Sequence, residues 1–236
     1  MIGVYDYTVI LTYASLVSGI LGIVCSVTGA GHPVLGLFFL MLSGMLDAFD
    51  GRVARTKKNR SEFEKNFGVQ IDSLCDMICF GVLPATIGLA RLRVSGIFTE
   101  IVSHKEYEGN YALLILFIII AVFYVLSAMI RLAYFNSTIE IREEGSKTLG
   151  YQYFIGLPVT SAALVFPLVM VIQMFIKRDL VVPYFILMLL MAIAFIMNIR
   201  IRKPGKVGLI VIMIIGIIEF IITCLVFYFM NRAEFF

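Results

Sequence analysis

Histidine, cysteine and charge are all scarce in this sequence, and each shortage removes a class of protein. The two histidines, His32 and His104, fall in connections between apolar runs, far from any acidic cluster, which gives them no part in a metal centre. Four cysteines (Cys25, Cys75, Cys79, Cys224) are scattered through apolar stretches without zinc-site or disulfide-framework spacing, so they read as small packing residues. Only 15% of residues are charged, while 61% are hydrophobic and the mean hydropathy is +0.98. A soluble core of 236 residues does not hide that much apolar surface, so lipid must solvate much of the chain. The net charge of +3 points to no acidic partner, and no nucleic acid is expected. No basic region followed by a cleavage site precedes the first apolar run, which therefore reads as a retained span. Repeats, low-complexity tracts and dividing linkers are absent, and residues 1–236 read as a single integral membrane domain.

What is present is a series of seven apolar segments, each about long enough for a helix to cross roughly 30 Å of hydrocarbon. They run Thr8–Thr28, Pro33–Asp50, Ile71–Ala90, Tyr111–Ile130, Gly156–Ile176, Val181–Ile199 and Val207–Phe229. Backbone polar groups in lipid must pair within their own segment, so the expected fold class is all-α, a polytopic helical bundle. Orientation follows from the basic residues. The connections after segments 2, 4 and 6 hold 13 of the 19, led by Arg52, Arg55, Lys57, Lys58, Arg60 and Lys65 in the first. That asymmetry predicts a multi-pass protein of the cell membrane with these three connections in the cytoplasm.

Four acidic residues fall at or near membrane depth in one stretch: Asp47, Asp50, Asp72 and Asp76. Carboxylates are costly there and mark functional sites. Asp47 and Asp50 are spaced i, i+3 and Asp72 and Asp76 i, i+4, so each pair projects from one helix face. An antiparallel hairpin of segments 2 and 3 brings the two pairs face to face. Two divalent cations would cancel the formal charge of four carboxylates, and an oxygen-only ligand set favours Mg²⁺ or Mn²⁺. Such ion pairs recur in displacement reactions at phosphorus. Between the acidic pairs, small Gly51 and Ala54 allow a nucleotide to approach the backbone, and Arg55 offers a planar fork of donors to a phosphate.

The run Asp47-x2-Asp50-Gly51-x2-Ala54-Arg55, followed by Gly68-x3-Asp72-x3-Asp76, resembles the signature of the CDP-alcohol phosphotransferases. That resemblance covers the first six segments and implies a six-helix core (residues 1–200), with 201–236 an additional C-terminal transmembrane segment. It also implies an active site open to the cytoplasm, two divalent cations and a homodimer. By position, Asp47, Asp50 and Asp72 would bind metal, and Asp76 would bind metal and act as general base. Gly51, Ala54, Arg55, Ser61 and Gly68 would contact the CDP-lipid. Twelve residues, Thr56–Phe67, separate Arg55 from Gly68, more than the family usually has. On segment 1, Thr8, Thr12, Ser15 and Gly19 form a small polar stripe, read equally as close helix packing or as a nucleotide contact by Thr12 and Ser15.

The stretches Asp72–Ala85, Arg131–Asn136 and Tyr153–Pro158 look like the phosphatidylserine synthase branch of that family. The substrates implied are CDP-diacylglycerol and L-serine, and the products phosphatidylserine and CMP. Arg131 would meet the serine carboxylate, hold a phosphate, or simply reach toward the interface, with Asn136 beside it. The rival acceptors within the family are glycerol 3-phosphate and an inositol phosphate. A cation transporter also explains intramembrane carboxylates, but transporters favour midplane sites and repeated halves, neither of which is present. Glu219 lies alone in segment 7, where a subunit interface would give it a partner.

Overall fold

In the computed structural model, the described residues are 2–28, 33–96, 98, 111–138, 153–176, 179–202 and 205–233. Helix α1 (Ile10–Val27) lies against α2 (Pro33–Ala54) because both carry small residues on the shared face. Ser15 Oγ donates to the Ser43 carbonyl at 3.2 Å, Ser43 Oγ returns a bond to the Ser15 carbonyl at 3.1 Å, and Ser18 Oγ donates to the Phe39 carbonyl at 2.9 Å. Ser15 thus meets Ser43 while the later Ser18 meets the earlier Phe39, so the pair is antiparallel. Close approach of this kind is how helices associate where the solvent is itself apolar.

The third apolar segment is a single helical rod, Glu62–Val94, far longer than the span expected at Ile71–Ala90. It comprises α3 (Glu62–Asp76), a π-helical turn (Met77–Val82) and α4 (Leu83–Val94). The charged stretch expected as loop is therefore half helix. Its start has a plain cause: Ser61 Oγ accepts from the Glu64 N–H at 3.2 Å, and the Glu64 carboxylate accepts from the Ser61 N–H at 2.8 Å, a capping box. The π turn has a cause too. Pro84 has no N–H to offer the carbonyl four residues back, that of Phe80. The Tyr124 hydroxyl takes that acceptor at 2.7 Å, while the Leu83 N–H reaches the Ile78 carbonyl, five residues back.

Tyr124 belongs to α5 (Tyr111–Ser137), which runs antiparallel to the rod. It carries an aromatic core shared with α6 (Ala162–Ile176) and α7 (Val181–Ile196). Tyr124 meets Phe166 edge-on at 5.6 Å between ring centroids, and Phe166 meets Tyr184 at 4.8 Å. Arg91, buried at the far end of α4, bonds to Gln173, lies 5.7 Å over the Tyr184 ring and is 3.8 Å from Asp179, joining α4, α6 and α7. The segment expected from Gly156 does not begin as helix. Strand β1 (Tyr153–Ile155) pairs antiparallel with β2 (Arg200–Arg202), and a 3₁₀ turn (Val159–Ser161) precedes α6. Gly156 turns at φ +73°, and a Cβ there would lie 2.6 Å from the Phe195 carbonyl oxygen, so only glycine closes this corner. Segment 6 accordingly ends as helix at Ile196, not Ile199.

All seven apolar segments contain helix. Among the described residues, four helices are long and apolar enough to cross a membrane (Ile10–Val27, Val34–Ala54, Glu62–Val94, Tyr111–Ser137), and three further apolar stretches of helix are shorter (Val159–Gln173, Val181–Ile196, Ile210–Leu225). Ile115, Ile119 and Val122 on α5 and Ile210, Ile214 and Ile221 on α8 (Lys206–Ala233) face outward, as lipid contact requires. The expected all-α polytopic membrane fold holds, with the two-stranded ribbon as its one addition among the described residues. Helix α8 packs on α2 and α6, with the Phe220 and Phe38 rings 5.0 Å apart. Glu219 is 7% exposed within this one chain, and its Oε1 has no hydrogen-bond partner among the described residues. His32 and His104 lie outside the described residues.

Candidate active site

The two acidic pairs meet as their helical phases predict. Helix α2 continues one turn past the expected Asp50 to Ala54, so Asp47 and Asp50 project from regular helix. Asp72 and Asp76 occupy the last two turns of α3, before the π turn. Carboxylate oxygens of Asp47, Asp50 and Asp72 all lie within 4.8 Å of one another. Asp76 completes the group opposite Asp47 and is 9% exposed, while Asp50 is 8% exposed. Among the described residues none of the four forms a salt bridge. Clustered oxygen ligands without a contacting cation of their own are the donor set a hard divalent ion takes, so the residues present fit a metal site.

Helix α1 closes the site from one side. Thr12 Oγ1 donates to Asp50 Oδ2 at 3.0 Å, both groups being buried. Cys75 Sγ donates to the Thr12 carbonyl at 3.4 Å and Cys79 Sγ to the Ser15 carbonyl at 3.3 Å. A Cβ on Gly19 would stand 2.6 Å from Cys79 Sγ, so this glycine admits the thiol. The polar stripe of α1 thus divides: Thr12 orients a carboxylate, Ser15 is spent on α2, and Gly19 permits packing. Thr8 bonds to Asp6.

The remaining motif residues border the carboxylates. A Cβ on Gly51 would meet both terminal nitrogens of Arg55 at 3.7 Å, so the exposed Arg55 guanidinium folds back over the glycine that follows Asp50. Ala54 ends α2. Ser61 is engaged as the N-cap of α3. A Cβ on Gly68 would lie 2.8 Å from Arg60 Nη2. Asn136 Nδ2 donates to Ser73 Oγ at 2.8 Å, fixing the end of α5 beside Asp72. Arg131 is buried, its Nε donates to the Leu157 carbonyl at 3.2 Å, and its guanidinium lies 5.0 Å over the Phe135 ring. It borders a cavity of about 210 Å³ with Tyr134, Ile155, Phe195 and Asn198. At about 1.5 Å per helical residue, Arg131 lies about 7.5 Å back along α5 from Asn136, roughly level with the π turn.

One tie was not foreseen in the sequence. Lys57 Nζ lies 2.7 Å from both Asp6 and Glu64, binding the segment before α1, the 55–61 connection and the first turn of α3. Lys57 and then Thr8 hold the Asp6 carboxyl down at about 2, and Asp6 in turn raises Lys57 above its ordinary value. The Ser61-x-x-Glu64 pattern was the available signal for the cap; nothing local announces Asp6 as its neighbour.

The sequence model of the CDP-alcohol phosphatidyltransferase family matches residues 8–191, which include every residue of the site just described except Asp6, Phe195 and Asn198. A CDP-diacylglycerol–serine O-phosphatidyltransferase of Saccharomyces cerevisiae is 37% identical over 142 residues, 59% of this chain and 43% of that protein. The like-named protein of Methanocaldococcus jannaschii is 31% identical over 139 residues, 58% of this chain and 52% of its own. A CDP-diacylglycerol–inositol 3-phosphatidyltransferase of Candida albicans is 31% identical over 102 residues, 43% of this chain and 41% of its own. The chain spans about half the length of the curated relatives it matches. With the matched region covering more than half of the sequence and the acidic motif intact, the chain belongs to the CDP-alcohol phosphatidyltransferase family.

Proposed function

We propose that this protein transfers a phosphatidyl group from CDP-diacylglycerol to L-serine, releasing phosphatidylserine and CMP, at the cytoplasmic face of the cell membrane. The observation that carries the reading is the convergence of Asp47, Asp50 and Asp72, with Asp76 beside them, on the family's motif spacing. Asp47, Asp50, Asp72 and Asp76 would hold two divalent cations, Mg²⁺ or Mn²⁺. When bound, these supply positive charge to the substrate pyrophosphate. Gly51, Ala54 and Gly68 border the nucleotide, Arg55 donates to a phosphate oxygen, and Thr12 keeps Asp50 aimed at its metal. A direct contact of Ser15 or Ser61 with the CDP group would require their present hydrogen bonds to be shared. Asp76 takes the proton from the serine hydroxyl. The serine oxygen bonds to the phosphorus bearing the diacylglycerol, and the bond from that phosphorus to CMP breaks. Arg131, with Asn136 near it, pairs with the serine carboxylate. The homodimer and the division into a 1–200 core and a 201–236 addition belong to the same reading.

Serine is favoured over other alcohols by the relatives named for it in yeast and an archaeon. The inositol transferase of Candida albicans, 31% identical over a shorter match, supports the second reading, a different acceptor in the same pocket. The base assignment is tested with Asp76→Asn. Turnover should fall by about 10²–10⁴, the usual worth of a general base, with CDP-diacylglycerol affinity kept within a few-fold at saturating metal. Equal losses of turnover and affinity would reduce Asp76 to a ligand. Orientation is tested by cysteine labelling of intact cells: a probe placed at position 58 should be protected and one at position 105 modified, and the reverse pattern would move the site to the outer face.

A further inference from the structure

We propose that Arg60 is a second phosphate-binding residue for the CDP-lipid, acting together with Arg55 at the end of the carboxylate cluster nearest the connection. This rests on the reading of the protein as a CDP-lipid transferase and extends it to a residue outside the family motif. Gly68, Asp72 and Asp76 follow one another at i, i+4, so they form one stripe along α3, each step about one helical turn. Arg60 sits at the head of that stripe. Its Nη2 donates to the Glu64 carbonyl at 3.1 Å and occupies the space that Gly68 leaves open, 2.8 Å from where a Cβ would be. Its Nε is buried and has no hydrogen-bond partner among the described residues.

The arrangement repeats what α2 does on the other side, where Arg55 folds over Gly51 next to Asp50. Each acidic pair thus has a glycine at its border and a guanidinium on that glycine. Two guanidinium groups, one beside each helix of the hairpin, suit a ligand with two adjacent phosphates, since each presents donors in a plane that matches phosphate oxygens. The unpartnered Nε–H is then a donor kept for the ligand, because buried donors are ordinarily paired. The long Arg55–Gly68 spacing acquires a purpose: the connection Thr56–Ser61 turns back far enough to lay Arg60 on α3, held there by the Lys57–Glu64 ion pair and the Ser61 cap.

The test compares wild type, Arg60→Gln and Arg60→Lys, all full length in detergent micelles with saturating Mn²⁺. CDP-diacylglycerol binding is measured by calorimetry, together with the KM for each substrate and the melting temperature. Wild type should bind, and Arg60→Gln should weaken CDP-diacylglycerol binding by about ten- to a hundredfold, the range for a lost charge-assisted bond. Arg60→Lys should recover part of that loss, and the serine KM and melting temperature should stay near wild type. Unchanged CDP-diacylglycerol affinity in Arg60→Gln would overturn the assignment while leaving the transferase reading intact. A lowered melting temperature with both KM values raised together would make Arg60 a structural brace and equally overturn it. Failure of the wild type to bind CDP-diacylglycerol would instead remove the reading on which the inference stands.

Discussion

Replacing Thr12 by valine removes one hydroxyl and almost nothing else. Both side chains are β-branched and of similar volume, so χ1 and the packing of α1 on α2 are retained. The Thr12 carbonyl still accepts from Cys75 Sγ. What is lost is the bond from Oγ1 to Asp50 Oδ2, 3.0 Å long and buried. Hydrogen bonds to charged groups contribute about 1.5–3 kcal/mol. Outer residues that orient metal ligands typically account for about 10–100-fold in metal affinity. The Mn²⁺ concentration giving half-maximal activity should therefore rise by about 10–100-fold in Thr12→Val, with turnover largely recovered at saturating Mn²⁺ and CDP-diacylglycerol affinity then close to wild type. Metal titration of both proteins, by activity and by Mn²⁺ binding, decides the matter. An unchanged metal requirement combined with a raised KM for CDP-diacylglycerol would refute the reasoning and return Thr12 to the nucleotide contact its sequence position also suggested.

Asp47→Asn and Asp72→Asn should each abolish activity while leaving the melting temperature in detergent within a few degrees of wild type, and excess chelator should silence the unaltered protein; turnover persisting in chelator would contradict a metal site. Gly44→Ala should destabilise the fold by about 1–3 kcal/mol, because the new Cβ would stand 2.5 Å from the Ala163 Cβ, which moves only with α6; a thermal melt equal to wild type would show that α2 and α6 separate freely. The Asp6–Lys57 tie should resist acid. Asp6 has its folded value lowered to about 2 from an ordinary 3.8, so its contribution is present above pH 4 and lost as pH falls toward 2. The melting-temperature difference between wild type and Asp6→Asn should be constant from pH 5 to 8 and shrink below pH 4.

The fold was legible wherever one physical constraint dominated. Seven apolar runs dictated helices because lipid offers the backbone no other partner, and all seven contain helix. Helix ends were less legible, because they depend on pairings made at a distance. The rod Glu62–Val94 extends past its apolar run because Ser61 and Glu64 cap it, and segment 5 starts late because Gly156 and the β1–β2 ribbon take its first residues. The acidic pairs meet as their spacing predicted, since i, i+3 and i, i+4 phases survive in any regular helix. Thr12 stood out in the polar stripe of segment 1, but spacing alone did not say that its partner is Asp50. Arg60 and Lys57 read as two more basic residues of a charged connection; their contacts with Gly68, Asp6 and Glu64 are tertiary. The expectation of a partner for Glu219 across subunits met a carboxyl already buried within one chain.

The most direct test of the central claim is CMP release by the purified protein given CDP-diacylglycerol and Mn²⁺ or Mg²⁺, with serine, inositol, inositol phosphate and glycerol 3-phosphate supplied one at a time. The account predicts metal-dependent CMP release with serine alone, matched one to one by a lipid carrying the serine headgroup. Release driven by another acceptor while serine is inert would contradict the assignment of the alcohol, and no release with any of them would contradict the transferase itself.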